Sequence, residues 1–156
     1  IGYTDEELEY AKKFQEVITD LDKANLKDTA KKLCGKDSGK VLEKPLFDFL
    51  VEKNLGGGKG STDVGDVGYA APTLNLLVAT ACVGNVGHSW QMTAQACSPL
   101  AHKGLLTAAE AMALSAVRTK HRPDAIAAAK AEVLARNGGK YTCPLPDSVK
   151  PPLDTY

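Results

Sequence analysis

Apolar positions along this chain fall into four stretches that read as helices and one mostly apolar run. In the first stretch, Leu8, Ala11, Phe14, Ile18 and Leu21 recur every three or four residues and predict one amphipathic surface helix. Thr4-Asp-Glu-Glu7 just before it has the form of a capping box, in which the Thr4 hydroxyl accepts from the Glu7 amide. Asp22 to Leu33 has fewer apolar positions and predicts a shorter second helix, ended by Gly35 and the Lys36-Asp-Ser-Gly39 turn. Pro45 to Val51 is apolar but has no period that decides between strand and helix, and Asn54 to Gly60 reads as a flexible glycine stretch.

The mostly apolar run is Thr73 to Thr80. With Leu74, Leu76, Leu77 and Val78 it predicts a strand buried on both faces, and Gly84 and Gly87 mark a turn beyond it. Leu100 to Lys120 predicts a long alanine-rich helix with Leu105, Ala109, Met112 and Ala116 on one face. Pro123 suits the first turn of the next helix, Asp124 to Asn137, which carries Ile126, Val133 and Leu134 and is stopped by Gly138-Gly139. The proline-rich tail, Tyr141 to Tyr156, is expected to lie extended on the surface. Helix, loop, strand, helix, helix offers too few strands for a self-sufficient sheet. The expected fold is therefore α/β, an incomplete part of a mixed sheet with covering helices, divided into a helical and linker part over 1–59 and a loop, strand and two helices over 60–156.

A length of 156 residues is enough for one domain with a real core. Lysine plus arginine equals aspartate plus glutamate at 19 each, so no global basic field exists to attract nucleic acid or an anionic membrane. The lysines between Lys23 and Lys44 read as a solvated helix face. No apolar run approaches the ~20 residues that span a bilayer, and the acidic opening does not resemble a signal peptide. Ile1 in place of methionine implies a chain processed or cut from something longer. Cys34, Cys82, Cys97 and Cys143 form no Cys-x-x-Cys pair, which argues against a zinc knuckle and for reduced thiols in a cytoplasmic protein.

Candidate chemistry concentrates between residues 60 and 91. The string Gly60-Ser-Thr-Asp-Val-Gly-Asp-Val-Gly68 reads as a short acidic, glycine-rich loop before the apolar run, and His88 follows that run in Gly87-His-Ser-Trp-Gln91. The spacing argues against a phosphate-binding P-loop, because Gly60 separates Lys59 from Ser61 and Lys53 stands where the first glycine belongs. Of the three histidines, His121 reads as solvated and His102 as a packing or capping residue of the long helix. A neutral imidazole at a strand end suits zinc or manganese, yet one histidine is not a site, since a catalytic zinc takes three protein ligands. Asp63 and Asp66 either contribute ligands or organise their loop through side-chain hydrogen bonds.

These strings resemble a known group. Gly60 to Val67, Pro72-Thr73, Gly87-His-Ser-Trp-Gln91 and Ala101-His-Lys-Gly104 are similar to the C-terminal segment of metal-dependent amidohydrolases related to p-aminobenzoyl-glutamate hydrolase. That group lies within the larger peptidase family of aminoacylases and auxin-conjugate hydrolases. Tyr3-Thr-Asp-Glu-Glu-Leu8 and Gly138-Gly-Lys-Tyr-Thr-Cys-Pro-Leu-Pro-Asp147 extend the resemblance over nearly the whole chain.

The resemblance implies the last part of a phosphorylase/hydrolase-like catalytic domain, without the N-terminal catalytic part, the general-base glutamate or the lid. It implies that His88 is a metal ligand and that Ser61, Thr62, Asp63 and Asp66 border the active site, with no catalytic residue in this segment. It further implies two zinc or manganese ions in the complete enzyme and a substrate such as an N-acyl amino acid, aminobenzoyl-glutamate or a dipeptide. A homo-oligomer formed through the lid domain belongs to the same picture, and the isolated chain is expected to be inactive. The rival is a non-catalytic helical binding module in which His88 is merely packed.

Overall fold

The computed structural model of the chain describes residues 1–51, 62–146 and 148–150, apart from the Leu33 side chain. Among the described residues every regular element is a helix: α1 (Asp5–Glu16), α2 (Asp20–Cys34), a 3-10 turn (Gly35–Asp37), α3 (Ser38–Leu42), α4 (Val64–Ala70), α5 (Trp90–Ala96), α6 (Pro99–Lys120) and α7 (Pro123–Arg136). The α/β expectation is thereby corrected. Residues 72–80 follow an irregular path with no ladder, and Leu74 and Leu77 are 86% and 74% exposed. The physical reason is that a strand needs a neighbour's N–H and C=O groups, and an apolar run without alternation does not specify one. The glycine-rich stretch after Thr62, read as a loop, instead winds into α4.

Local chemistry accounts for where the helices start and stop. At α1 the Thr4 hydroxyl accepts from the Glu7 amide at 3.3 Å while the Glu7 carboxylate accepts from the Thr4 amide at 2.8 Å, a reciprocal capping box. The stripe expected to continue through Leu21 is interrupted at Val17. Thr19 caps a new helix by accepting from the Asp22 amide, so Ile18 falls in the link and Leu21 on α2 is exposed. Pro123 opens α7, and Gly138 and Gly139 close it with positive φ of 70° and 92°. The Gly139 amide donates to the Leu134 carbonyl at 2.7 Å, which satisfies one of the helix's last acceptors.

The chain divides into two compact units, and the division falls within α6 after Leu114. The first takes in the described residues up to 51 and Leu76–Leu114; the second takes in 62–75 and those from Ser115 onward. In the first unit Ala11, Leu46, Cys82, Leu100 and Ala101 form a buried cluster, with Tyr3, Leu8, Tyr10 and Phe14 packed against it. Gly104 on α6 permits one further close approach. A Cβ there would stand 2.2 Å from the Ala79 carbonyl oxygen, so residues 79–80 lie directly on the helix backbone. In the second unit α4 packs on α7, and Asn137 donates to the Tyr69 carbonyl at 2.9 Å. No helix among the described residues is long and apolar enough to cross a membrane.

Candidate functional site

Residues 82–91 connect the irregular segment to α5 and carry His88. The connection is folded back by Gly84 (φ 87°), where an added Cβ would stand 2.9 Å from the Leu26 side chain and 3.0 Å from that of Ile18, too close for any larger residue without a shift. Ser89 then caps α5: its hydroxyl accepts from the Met92 amide at 3.3 Å and donates to the Val86 carbonyl at 2.6 Å. His88 precedes this cap at φ 57°, and it is the non-glycine residue with positive φ among those described. For an L-residue that conformation carries a steric cost, and His, Asn and Asp are among the residues that tolerate it best. The imidazole is exposed and has no hydrogen-bond or ion-pair partner among the described residues.

The backbone around His88 is held from below by Gln95 of α5. Its Oε1 accepts from the Cys82 amide at 2.7 Å, and its Nε2 donates to Asn85 Oδ1 at 2.8 Å and to the Gln91 carbonyl at 3.1 Å. Burial pushes the Cys82 thiol up, and a hydrogen bond from Gln95 offsets part of that. The α1 helix buttresses the same region through Tyr10, whose hydroxyl donates to the Ala94 carbonyl, and Gln15, which donates to the Val83 carbonyl. Gln95 carries no recognisable signal in the sequence, since a glutamine between two alanines reads as an ordinary exposed helix residue.

A second anchor ties the start of the chain to α6. Lys103 Nζ donates to Glu7 Oε2 at 2.6 Å and to the Gly2 carbonyl at 3.0 Å. The Lys103 bond first, and the Thr4 amide after it, hold the Glu7 carboxyl below its ordinary range. Within Ala101-His-Lys-Gly104, then, Ala101 packs, Lys103 pairs and Gly104 makes room, while His102 faces solvent.

Thr62, Asp63 and Asp66 come together at the start of α4, in the second unit. Thr62 Oγ1 accepts from the Val64 amide at 3.3 Å, the Thr62 carbonyl accepts from Gly65 and the Asp63 carbonyl from Asp66. Asp66 also lines an open groove of about 350 Å³ with Tyr69, Asn137, Lys140 and Tyr141. Partial burial, then a hydrogen bond with Cys143 and the charge of Asp66, raise the Tyr141 hydroxyl above its ordinary value. Ser61 lies outside the described residues. His88 is in the first unit and the Thr62–Asp66 turn in the second.

The donor chemistry of His88 fits one position of a metal site, because imidazole nitrogen is a common metal ligand and this ring is exposed to solvent with no partner among the described residues. Among the described residues no group of three His, Cys, Asp or Glu side chains converges to hold an ion, so these residues do not by themselves form a full donor set.

Comparison with known proteins agrees with the motifs. Over 160 aligned positions the chain is 30% identical to a p-aminobenzoyl-glutamate hydrolase subunit of Escherichia coli (strain K12), an alignment that takes in 96% of this chain and 32% of that protein. The chain therefore spans about a third of the length of this curated relative. The similarity to the p-aminobenzoyl-glutamate hydrolase group holds over nearly all of the chain and is consistent with its being the C-terminal part of such a protein. No protein-family model matches the chain, and no solved structure matches it.

Proposed function

We propose that this chain is the C-terminal portion of a dinuclear-metal amidohydrolase that cleaves the amide bond of N-acyl amino acids, aminobenzoyl-glutamate or dipeptides. The observation that carries the reading is the 30% identity spread over 96% of the chain, together with an exposed, unpaired imidazole at position 88. In this reading His88 holds one of two zinc or manganese ions through a neutral ring nitrogen, and the remaining ligands and the proton-accepting glutamate lie in parts of the protein outside this chain. The ions, when bound, polarise the scissile carbonyl and lower the pKa of a water towards ~7. Ser61, Thr62, Asp63 and Asp66 border the substrate and shape the rim of the site. A further subunit, joined through the lid domain, and a cytoplasmic setting complete the proposal; the relative's name, that of a hydrolase subunit, supports the former.

Two experiments test it. This chain alone, supplied with zinc or manganese, is expected to show no turnover of N-acyl amino acids; robust turnover would refute the claim that essential groups lie elsewhere. In the longest natural form of the protein, His88→Ala is expected to lose metal and activity with the fold intact.

A second reading, a non-catalytic helical binding module, draws support from α6, where Leu105, Leu106, Met112 and Leu114 are all more than half exposed. It predicts unchanged metal content in His88→Ala, so the same variant separates the two.

A further inference from the structure

Position 88 sits in a turn with no regular structure of its own, yet its backbone is held in a conformation that costs energy. We propose that Gln95 is the positioning residue for His88, fixing the backbone of the turn from which the imidazole projects into solvent. The Gln95 side chain is 0% exposed, and both ends of its amide are engaged by the segment that carries the histidine. Its three partners, Cys82, Asn85 and Gln91, bracket position 88 from both sides. Asn85 extends the grip by donating to the Val86 carbonyl at 3.1 Å and to the Met92 sulfur at 3.5 Å. Ser89 closes the circuit between Val86 and Met92.

Residues 82–92 thus form a hydrogen-bonded ring around one buried amide, and His88 is its outward vertex. A buried amide with no remaining freedom is a stiff support, because releasing either end leaves polar groups unpaired away from water. Partners that orient a metal-ligating histidine affect metal affinity by about 10- to 100-fold in general, although the route here runs through the backbone and not through the ring's second nitrogen. This positioning role deepens the reading of His88 as a metal ligand and depends on it for its purpose, but its first test needs no metal.

The test compares wild type with Gln95→Glu, which keeps the acceptor for the Cys82 amide and loses the donors, with Gln95→Leu, which loses both, and with Asn85→Ala, which removes one anchor. In this chain without metal, NMR of the His88 ring and of its Cα and Cβ shifts reports the turn, with exposed His102 and His121 as internal references. Wild type should show one sharp His88 signal with left-handed backbone shifts. Gln95→Glu and Asn85→Ala should broaden or split that signal while the helical circular dichroism and the two reference histidines stay unchanged. Should Gln95→Leu fail to fold, the other two variants carry the comparison.

In the longest natural form, Gln95→Glu is expected to weaken metal binding at least about tenfold by equilibrium dialysis, with His102→Ala unchanged. Unaltered His88 signals in folded Gln95 variants overturn the proposal. Altered signals with metal affinity unchanged, in those variants and in His88→Ala alike, leave Gln95 organising the turn and sink the ligand reading instead.

Discussion

The two compact units hold their candidate residues by different means. In the first, Leu100 and Leu46 are 1% exposed, Gln95 is sealed beneath the His88 turn, and α1 and the first turn of α6 meet around a cluster shared with Leu46 and Cys82. In the second, no described residue is buried, and Thr62, Asp63 and Asp66 are arranged by short backbone bonds at the head of a seven-residue helix. A side chain resting on a packed cluster inherits its position from many contacts at once. One resting on a local turn inherits it from two or three hydrogen bonds, each contributing about 1 kcal/mol net. The histidine therefore stands on the firmer support, and the aspartates on the more adaptable one.

The sharpest way to break this contrast is to remove apolar volume from each unit. Leu100→Ala should cost about 3 kcal/mol in urea unfolding, whereas Leu134→Ala, at a position 52% exposed, should cost less than about 0.5 kcal/mol. Equal losses would show that the second unit has a core after all.

Gly104→Ala comes next. Its methyl group meets the Ala79 carbonyl oxygen and Thr80, and the displacement of backbone should cost about 2 kcal/mol by the same measurement.

A smaller effect, with a pH signature, belongs to the ion pair between Glu7 and Lys103. Because the folded carboxyl lies below its ordinary value of 4.5, its contribution is complete above that value and is lost as pH falls through the lower folded one. Glu7→Gln should thus cost about 1 kcal/mol near neutrality, allowing for the partial exposure of Lys103, and the gap from wild type should close in acid. A gap that persists in strong acid would mean packing, not charge, holds this contact.

At position 88 the sign reverses. Glycine adopts positive φ without a Cβ clash, so His88→Gly should raise the unfolding free energy by about 0.5 kcal/mol while removing the imidazole. The smallest effect is expected in the second unit, where Asp66→Asn should bring the Tyr141 hydroxyl back towards its ordinary titration in an ultraviolet pH titration, with the first unit's melting unchanged.

What can be read from the sequence follows from how local each signal is. The capping box at Thr4 and Glu7, the bounds of α6 and the Pro123 and Gly138 punctuation of α7 are set within four or five residues, and the structure reproduces them. The run from Thr73 to Thr80 misleads because its leucines specify apolarity and nothing about a partner. The break at Val17 is hidden because Ile18 and Leu21 happen to continue a stripe that the Thr19 cap interrupts. His88 stands out through its motif, while its conformation, Gln95 beneath it and the Lys103 anchor depend on contacts between residues far apart in the chain or on a glutamine with no distinguishing neighbours. Ser61 and the glycine stretch before it lie outside the described residues.

The bare backbone at Gly104 has a consequence for how the first unit transmits disturbance. The Ala79 carbonyl rests on it, and three residues later the Cys82 amide is clasped by Gln95. A helix surface and the histidine turn are therefore joined by a taut lever only a few residues long. Any side chain introduced at 104 would pry at one end of that lever, and the displacement would arrive at the imidazole's doorstep, which makes this glycine a remote handle on the turn it never touches.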